Sequence, residues 1–219
     1  MTEKRLLREK AWSDINLYPV ITGRFCAERK SEAVLEEILK GGARAVQLRE
    51  KKLSDREYYK LATIFRELTF KYGALLIIDD RVDIALAVNA DGVHLGTEDM
   101  PCDIARKLAP DLIIGTSTHN LEEINSALLQ DISYLNIGPI YGTMTKETGF
   151  EPLGEKYLEK AIEKLNIPFT VMGGIKFHNL DRLFELGVRN AAMVTALTAS
   201  ENPRLETEKF LQKIKLLLK

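Results

Sequence analysis

Short runs of β-branched and other apolar residues alternate with longer amphipathic stretches along the whole chain. Such a run predicts a buried strand, and apolar residues spaced three and four apart predict a helix. Eight runs are each followed by a helical stretch and lie roughly 20 to 30 residues apart, the spacing of βα units. The predicted strands are Leu17–Thr22, Ala45–Leu48, Leu75–Ile78, Gly92–Leu95, Ile113–Ser117, Tyr134–Ile137, Pro168–Met172 and Asn190–Val194. The pattern predicts an α/β fold.

The predicted helices carry start and stop signals. Ser54 and Asn120 each stand three residues before a glutamate, which is the spacing of a capping box. Glycine follows several helical stretches, where it favours a left-handed C-cap; these positions are Gly41, Gly42, Gly73 and Gly187. The chain therefore turns where the alternation requires it to turn.

A repeated segment indicates how the strands are arranged. The sequences GGARAVQLRE, VNADGVHLG, QDISYLNIG and LGVRNAAMV share a helix end, a small or polar turn and an apolar strand. This repeat favours a closed (β/α)₈ TIM barrel in a single domain, residues 17–219. An open doubly wound sheet is the alternative, but about six units would be commoner there and no GxGxxG follows the first strand. Residues 1–16 form an N-terminal extension, with an extra helix expected at the barrel bottom or at a partner surface.

Composition and charge narrow the classes of function. The chain has 219 residues, 45% of them hydrophobic, which fits one sizeable core. Lys and Arg number 31 against 32 Asp and Glu, so we expect neither nucleic acid nor an anionic membrane as a partner. Cys26 and Cys102 lack disulfide or metal spacing, and we find no export signal or membrane span. A cytoplasmic location is expected, and a homo-oligomer stays open.

Candidate chemistry follows the strands, because in a (β/α)₈ barrel the polar groups past the C-terminal strand ends converge on one face. Gln47, Arg49 and Lys51 lie at the end of the second strand. Arg49 and Lys51 are two residues apart on an extended segment and can point the same way. The planar guanidinium of Arg49 can donate two parallel hydrogen bonds, and the ammonium of Lys51 is a compact positive charge. Both suit a multiply charged anion. The alternative is a solvated charge cluster.

Two carboxylates follow neighbouring strands. Asp80 and Asp99 could hold Mg²⁺ through their oxygens and leave its other positions to water and phosphate. The alternative is a helix N-cap for each, and Asp99 precedes Met100-Pro101, a sequence that suits a helix start. Beside a diphosphate, however, a carboxylate is unfavourable unless a metal lies between them.

The residues after the last two strands form a pattern that is typical of a phosphate-binding site. Gly173 and Gly174 follow the seventh strand, and Val194 and Thr195 follow the eighth, where barrels often bind phosphate through backbone N–H groups. A tight turn would explain the glycines but not the hydroxyl. The donor-rich loop 138–146 suits a lid, with a disordered connection as its alternative.

The histidines do not form a metal site. His94, His119 and His178 lack HxH or HExxH spacing, which disfavours a metallohydrolase. We interpret His94 as a core residue at a strand end. We expect the other two behind the site or on the surface.

Taken together, five segments at consecutive strand ends resemble thiamine-phosphate synthase, over about Leu17 to the C-terminal helix. The segments are Gln47–Lys51, Asp80-Arg81, His94–Asp99, Gly138–Tyr141 with Thr143, Thr145 and Lys146, and Gly173–Ile175. The resemblance implies a transferase that joins 4-amino-2-methyl-5-hydroxymethylpyrimidine diphosphate to a thiazole phosphate and releases diphosphate. It implies a dissociative reaction, in which Arg49, Lys51 and Lys146 neutralise the leaving group and no protein nucleophile is needed.

The resemblance also implies where each ligand binds. The implied pyrimidine diphosphate residues are Gln47, Arg49, Lys51, Ser117 and Lys146, and Asp79 is expected in the same site. The implied thiazole phosphate residues are Thr143, Thr145, Gly174, Val194 and Thr195. The implied Mg²⁺ ligands are Asp80 and Asp99.

The sequence departs from the family pattern in three places. Gly142 and Thr97 replace the commoner Pro and Gln, and Asp79 replaces Asn at a position next to the diphosphate. An ionised Asp79 would repel the diphosphate unless a cation intervenes. We expect Asp79 to be paired with Arg81 or to join the metal shell.

Two other functions stay open. A thiazole tautomerase of the same barrel family would isomerise instead of coupling, with His119 as its general base. Retention of Lys51, Asp80 and Asp99 argues against it. A non-catalytic, phosphate-binding regulatory barrel has Asp79 as its single indication.

Overall fold

The computed structural model describes residues 1–143 and 151–219 and confirms a closed eight-stranded barrel. Every neighbouring pair of strands is parallel, and the ring runs in chain order, with the first strand paired to the eighth. The strands are β1 Leu17–Ile21, β2 Ala45–Leu48, β3 Leu75–Asp79, β4 Gly92–Leu95, β5 Ile113–Thr118, β6 Tyr134–Ile137, β7 Phe169–Val171 and β8 Ala191–Met193. This is the predicted (β/α)₈ architecture.

Helices follow the strands, as the alternation predicts. The helices are α1 Glu3–Ser13, α2 Ser31–Lys40, α3 Asp55–Lys71, α4 Val82–Ala87, α5 Cys102–Leu108, α6 Leu121–Leu128, α7 Glu155–Ile162, α8 Leu180–Glu185, α9 Thr195–Thr198 and α10 Pro203–Leu217. Over residues 1–143 and 151–219, none of them is both long and apolar enough to cross a membrane.

The predicted strand bounds agree with the structure to within one residue at each end. One difference matters for the site: β3 continues to Asp79, because Asp79 pairs with His94 of β4 in the sheet register. Asp79 is therefore a strand residue, and the turn begins at Asp80, whose φ is +61°.

The hydrophobic core has two parts. The larger part fills the space between strands and helices, because alternate strand side chains point outward to the helix layer. The smaller part fills the lower barrel interior with Tyr18, Ile77 and Tyr134, and with Trp12 from α1. The barrel is thus packed below and polar above, which leaves its upper mouth for chemistry.

Helix α1 crosses the barrel bottom, one of the two positions expected for it. Trp12 is 2% exposed, stacks on Tyr134 with ring centroids 4.2 Å apart and meets Tyr18 edge-on at 4.9 Å. The Arg5 guanidinium donates two hydrogen bonds to Asp131, at 2.8 and 2.6 Å. Helix α1 therefore closes the end of the barrel opposite the C-terminal strand ends.

The predicted helix ends are confirmed in most details. Ser54 and Glu57 form the reciprocal capping box at α3. Asn120 caps α6, but Glu123 accepts from the backbone N–H of His119 instead of that of Asn120. Of the predicted cap glycines, Gly42, Gly73 and Gly187 have a positive φ, whereas Gly41 is still helical.

We expect Ser54→Ala to lower the free energy of unfolding by about 1 kcal/mol, because it leaves a first-turn N–H of α3 without its acceptor. Urea denaturation measures the change. Thr63→Ala, which removes an exposed hydroxyl in the middle of the same helix, is the control and is expected to change stability by less than about 0.5 kcal/mol. Equal losses in the two variants would contradict the capping role.

Candidate active site

A cavity of about 480 Å³ opens at the C-terminal ends of the strands. The barrel topology predicts this place, and several residues predicted from the sequence meet there. The predicted residues that line it are Arg49, Thr143, Gly174, Val194 and Thr195. The remaining predicted residues, where described, lie beside it at the ends of β2 to β5.

An ionic cluster occupies the ends of β2, β3 and β4. The Lys51 ammonium lies 3.2 Å from Asp79 Oδ2 and hydrogen-bonds to Asp80. Arg49 Nε lies 3.4 Å from the same Asp79 oxygen. Burial alone would lower the pKa of Lys51. The carboxylates of Asp79 and Asp80 raise it by more, so the pKa of Lys51 lies above its usual value. Arg49 and Lys51 therefore point to one place, as their spacing predicts.

Asp80 and Asp99 lie side by side. Burial and the hydrogen bond with Asp80 raise the pKa of the Asp99 carboxyl. Asp99 Oδ2 also accepts the backbone N–H of Gly96 at 2.7 Å. Two adjacent carboxylates, one with a raised pKa, form a site that a cation would stabilise.

The alternative interpretation of these two carboxylates as helix caps is wrong. The N-cap of α5 is Pro101, and the N-cap of α4 is Arg81, neither with a side-chain capping bond. In the described part of the chain, no three or more His, Cys, Asp or Glu side chains form a metal-holding group. Two protein ligands fit Mg²⁺, which usually keeps several waters and substrate oxygens.

The expected pairing of Asp79 with Arg81 is wrong. The Arg81 guanidinium hydrogen-bonds to Asp55 and Asp83, each at 2.6 Å, outside the barrel. The left-handed turn at Asp80 lies between the two residues, and Asp79 binds Arg49 and Lys51 instead. Asp79 is thus ion-paired, but to the two cations predicted for the diphosphate.

A chain of hydrogen bonds runs through the barrel interior beside this cluster. The Gln47 side-chain amide donates to the Tyr18 hydroxyl at 3.0 Å, and the Tyr18 and Tyr134 hydroxyls are 3.1 Å apart. His94 joins Tyr134 through Nδ1 and Ser117 through Nε2, both at 2.9 Å. His94 is a buried strand-end residue, as interpreted from the sequence. Through His94 and the two tyrosines, Gln47 is connected to Ser117, and the sequence did not indicate this connection.

The glycines after β7 are required by conformation and by close contact. Gly173 and Gly174 have φ of +96° and +62°. A Cβ at Gly174 would lie 2.6 Å from the carbonyl oxygen of Gly142. The tight-turn interpretation therefore accounts for the glycines. It does not account for Thr143 and Thr195, which also line the cavity.

Two further residues line the cavity, one predicted elsewhere and one not predicted as a site residue. His119 lines the cavity instead of standing behind the site or on the surface, and its Nδ1 lies 2.9 Å from Glu123 Oε2. Lys176 also lines the cavity. Both follow strand ends within a few residues, and that position is the signal that could have identified them.

Part of the predicted lid 138–146, with two predicted site residues in it, lies outside the described residues, whereas residues 138–143 are described. Thr145 and Lys146 lie outside the described residues, and so does the loop between Thr143 and Glu151. His178 lies in the exposed 3₁₀ turn Phe177–Asn179.

Comparisons with known proteins agree on one family. Residues 17–197 match the family model for thiamine monophosphate synthase. The chain is 41% identical over 194 residues to the thiamine-phosphate synthase of Pyrococcus furiosus, which covers 89% of this chain and 92% of the relative. It is 40% identical over 199 residues to that of Dictyoglomus turgidum, with 90% and 89% covered.

Solved structures show the same relationship. The thiamine phosphate pyrophosphorylase structure from Pyrococcus furiosus superimposes with a TM-score of 0.87 at 37% identity and covers 97% of this chain and all of that one. A 3-hexulose-6-phosphate synthase reaches a TM-score of 0.63 at 15% identity, which shows a shared fold alone.

Proposed function

This chain belongs to the thiamine monophosphate synthase family, and we propose that the two halves of its barrel mouth divide the family reaction between them. The reaction transfers the pyrimidine methylene from diphosphate to the thiazole nitrogen and yields thiamine phosphate. One observation carries the division: the ionic cluster at β2 to β4 and the glycine and threonine residues that follow β6, β7 and β8 lie on opposite sides of one closed ring.

The β2 to β5 side is the proposed pyrimidine diphosphate site. Arg49 and Lys51 converge on one anion, the Asp79 carboxylate, and this arrangement supports a site for an anionic group at the same place. Gln47 and Ser117 are held at the ends of the interior hydrogen-bond chain. Lys146 completes the proposed set and stays a prediction.

Mg²⁺ is the proposed cofactor, and its use is general for the family. Asp80 and Asp99 would hold it, because their adjacent carboxylates are unfavourable together without a cation. When bound, Mg²⁺ would supply positive charge to the diphosphate oxygens. Lys51, bonded to Asp80, supplies part of the same charge from the protein.

The β6 to β8 side is the proposed thiazole phosphate site. Thr143, Gly174, Val194 and Thr195 all line the cavity, and hydroxyl and backbone N–H groups are the donors that suit a phosphate. Thr145 is the remaining member of this set and stays a prediction.

In the proposed reaction, the protein stabilises charge and aligns the two substrates. The bond between the methylene carbon and the diphosphate oxygen breaks, and its electron pair leaves with diphosphate. Arg49 and Lys51 stabilise that growing negative charge. The thiazole nitrogen then donates its lone pair to the methylene carbon, and the barrel keeps the two atoms in line.

A thiazole tautomerase is the second candidate, because His119 lines the cavity with Glu123 behind it. A histidine so placed could move a proton on a thiazole ring. Isomerisation alone, however, gives no purpose to Lys51, Asp80 and Asp99. A regulatory barrel without activity would need only one phosphate site.

An assay with both substrates, with and without Mg²⁺, distinguishes these functions. We expect thiamine phosphate and diphosphate in equal amounts, and none from the Lys51→Ala variant prepared in the same way. Isomerised thiazole phosphate without diphosphate would identify a tautomerase. Binding of a substrate without any product would identify a regulatory barrel. The cytoplasmic location and a homo-oligomer stay predictions.

We expect Asp79→Asn to tighten the binding of pyrimidine diphosphate about tenfold, which corresponds to about 1.4 kcal/mol. The substitution keeps the shape of the side chain but removes the anion that now neutralises Arg49 and Lys51. Calorimetry across a Mg²⁺ titration measures the dissociation constant. Asp83→Asn makes the same charge change at the exposed partner of Arg81 and is the control. Weaker binding would show that Asp79 helps to hold the ligand or the metal.

A further inference from the structure

The hydrogen-bond chain inside the barrel connects five buried side chains on five strands. It runs from Gln47 on β2 through Tyr18 on β1, Tyr134 on β6 and His94 on β4 to Ser117 on β5. All five residues are at most 7% exposed. Gln47 and Ser117, at the two ends, belong to the proposed pyrimidine diphosphate site. The middle of the chain is therefore in a position to control how those ends present their donors.

The hydroxyl of Tyr134 is held in one place from two sides. Trp12 stacks on its ring from below. On β5, a Cβ at Gly115 would lie 2.1 Å from Tyr134 Cζ and 2.5 Å from the hydroxyl oxygen, so the strand has room for this hydroxyl only because residue 115 is glycine. Tyr134 is 0% exposed and cannot touch a substrate in the cavity. Any effect on the reaction must pass through its hydrogen-bond partners, which are His94 toward Ser117 and Tyr18 toward Gln47.

The hydrogen bonds from Gln47 to His94 all have the same preferred direction of proton donation. The Gln47 amide nitrogen can only donate, so the Tyr18 oxygen accepts there. The Tyr18 proton then has the Tyr134 oxygen as its acceptor, and the Tyr134 proton has His94 Nδ1. Burial raises the pKa of both tyrosines, so each keeps the proton that it donates. Among the described residues, the opposite direction would leave the buried Tyr18 proton without an acceptor, which is unfavourable.

This direction determines the state of the histidine and the serine. A neutral imidazole whose Nδ1 accepts carries its proton on Nε2. The ring then donates from Nε2 to Ser117 Oγ. The Ser117 oxygen is then used as an acceptor, and its own proton is left to donate to another group. The other tautomer would take that proton and turn the serine lone pairs to an incoming anion.

We propose that Tyr134 is a positioning residue that keeps His94 in the Nε2–H tautomer, so that the Ser117 hydroxyl donates to an oxygen of the bound diphosphate. The identity of this acceptor rests on the proposed function. The tautomer does not, because it follows from the contacts of the protein alone.

The first test is ¹⁵N NMR of the histidine-labelled protein, which reads the tautomer of His94 without turnover. We expect a protonated Nε2 and an unprotonated Nδ1 in the wild type, and a shift toward protonated Nδ1 in Tyr134→Phe. Tyr72→Phe, which removes a hydroxyl bonded to Glu36 on the outer layer, is the control and should leave His94 unchanged. A protonated Nδ1 in the wild type would overturn the proposal.

The second test is kinetic. Tyr134→Phe keeps the ring that stacks on Trp12, and thermal unfolding checks that the variant folds. We expect kcat/KM for pyrimidine diphosphate to fall about tenfold, and KM for the thiazole phosphate to stay constant. In a Ser117→Ala background, Tyr134→Phe should have no further effect, because the serine proton through which it acts is gone.

The outcomes separate the inference from the function on which it rests. If Tyr134→Phe lowers kcat/KM by the same factor in the Ser117→Ala background as in the wild type, the inference is overturned, because Tyr134 then acts by another route. If the wild type forms no thiamine phosphate, the proposed function fails, and the NMR tautomer still decides the role of Tyr134.

Discussion

Replacement of Asp80 by alanine is expected to lower kcat about 1000-fold, or roughly 4 kcal/mol in activation free energy, with the fold intact. The variant loses a proposed Mg²⁺ ligand and the hydrogen-bond partner of Lys51. Steady-state kinetics with circular dichroism as a check on folding measure the effect. We also expect excess EDTA to abolish the activity of the wild type.

Two further variants make this prediction specific. Asp80 has a φ of +61°, which Asn tolerates better than Ala, so Asp80→Asn separates the loss of charge from backbone strain. Asp83→Ala removes an exposed carboxylate three residues along and is expected to keep nearly full activity. Full turnover in EDTA, or equal losses at Asp80 and Asp83, would refute the metal site.

Thr195→Asp is expected to raise KM for the thiazole phosphate about 100-fold and to leave the affinity for pyrimidine diphosphate nearly unchanged. Repulsion between a carboxylate and a phosphate dianion a few ångströms away makes the binding free energy less favourable by about 3 kcal/mol when solvent partly screens the charges. Thr195 lines the cavity on the β8 side, away from the ionic cluster. Kinetics give KM, and calorimetry gives each affinity separately.

The matched control is Thr195→Asn, which has nearly the shape of Asp without its charge. We expect a change of only a few-fold from Asn, because the hydroxyl donor is replaced by an amide donor. If the Asp variant loses pyrimidine diphosphate and retains thiazole phosphate, the two sites are assigned the wrong way round.

The sequence was sufficient to predict the barrel and the side of it that carries the cavity. Strand runs and helix caps are local patterns, and the barrel topology brings the residues after each strand to one face. Arg49, Gly174 and Thr195 could be placed in this way without any knowledge of their contacts.

Side-chain partners could not be predicted in the same way. Arg81 is two residues from Asp79 in sequence, but the left-handed turn at Asp80 directs it outside the barrel. Tyr18 and Tyr134 are 116 residues apart and meet only because β1 and β6 both turn a tyrosine into the barrel. Contacts of this kind depend on the closed ring, which local patterns do not describe.

The packing of Trp12 has a practical consequence for experiments on this protein. It is the single tryptophan of the chain, it is 2% exposed, and it lies against two tyrosines. Its fluorescence therefore reports on the barrel floor alone: short-wavelength emission when α1 is docked, and a red shift when water reaches the indole. Energy transfer from tyrosine to Trp12 should also fall when the floor opens, because Tyr18 and Tyr134 then no longer lie against the indole. One optical signal can thus follow unfolding in every variant described above without any added label.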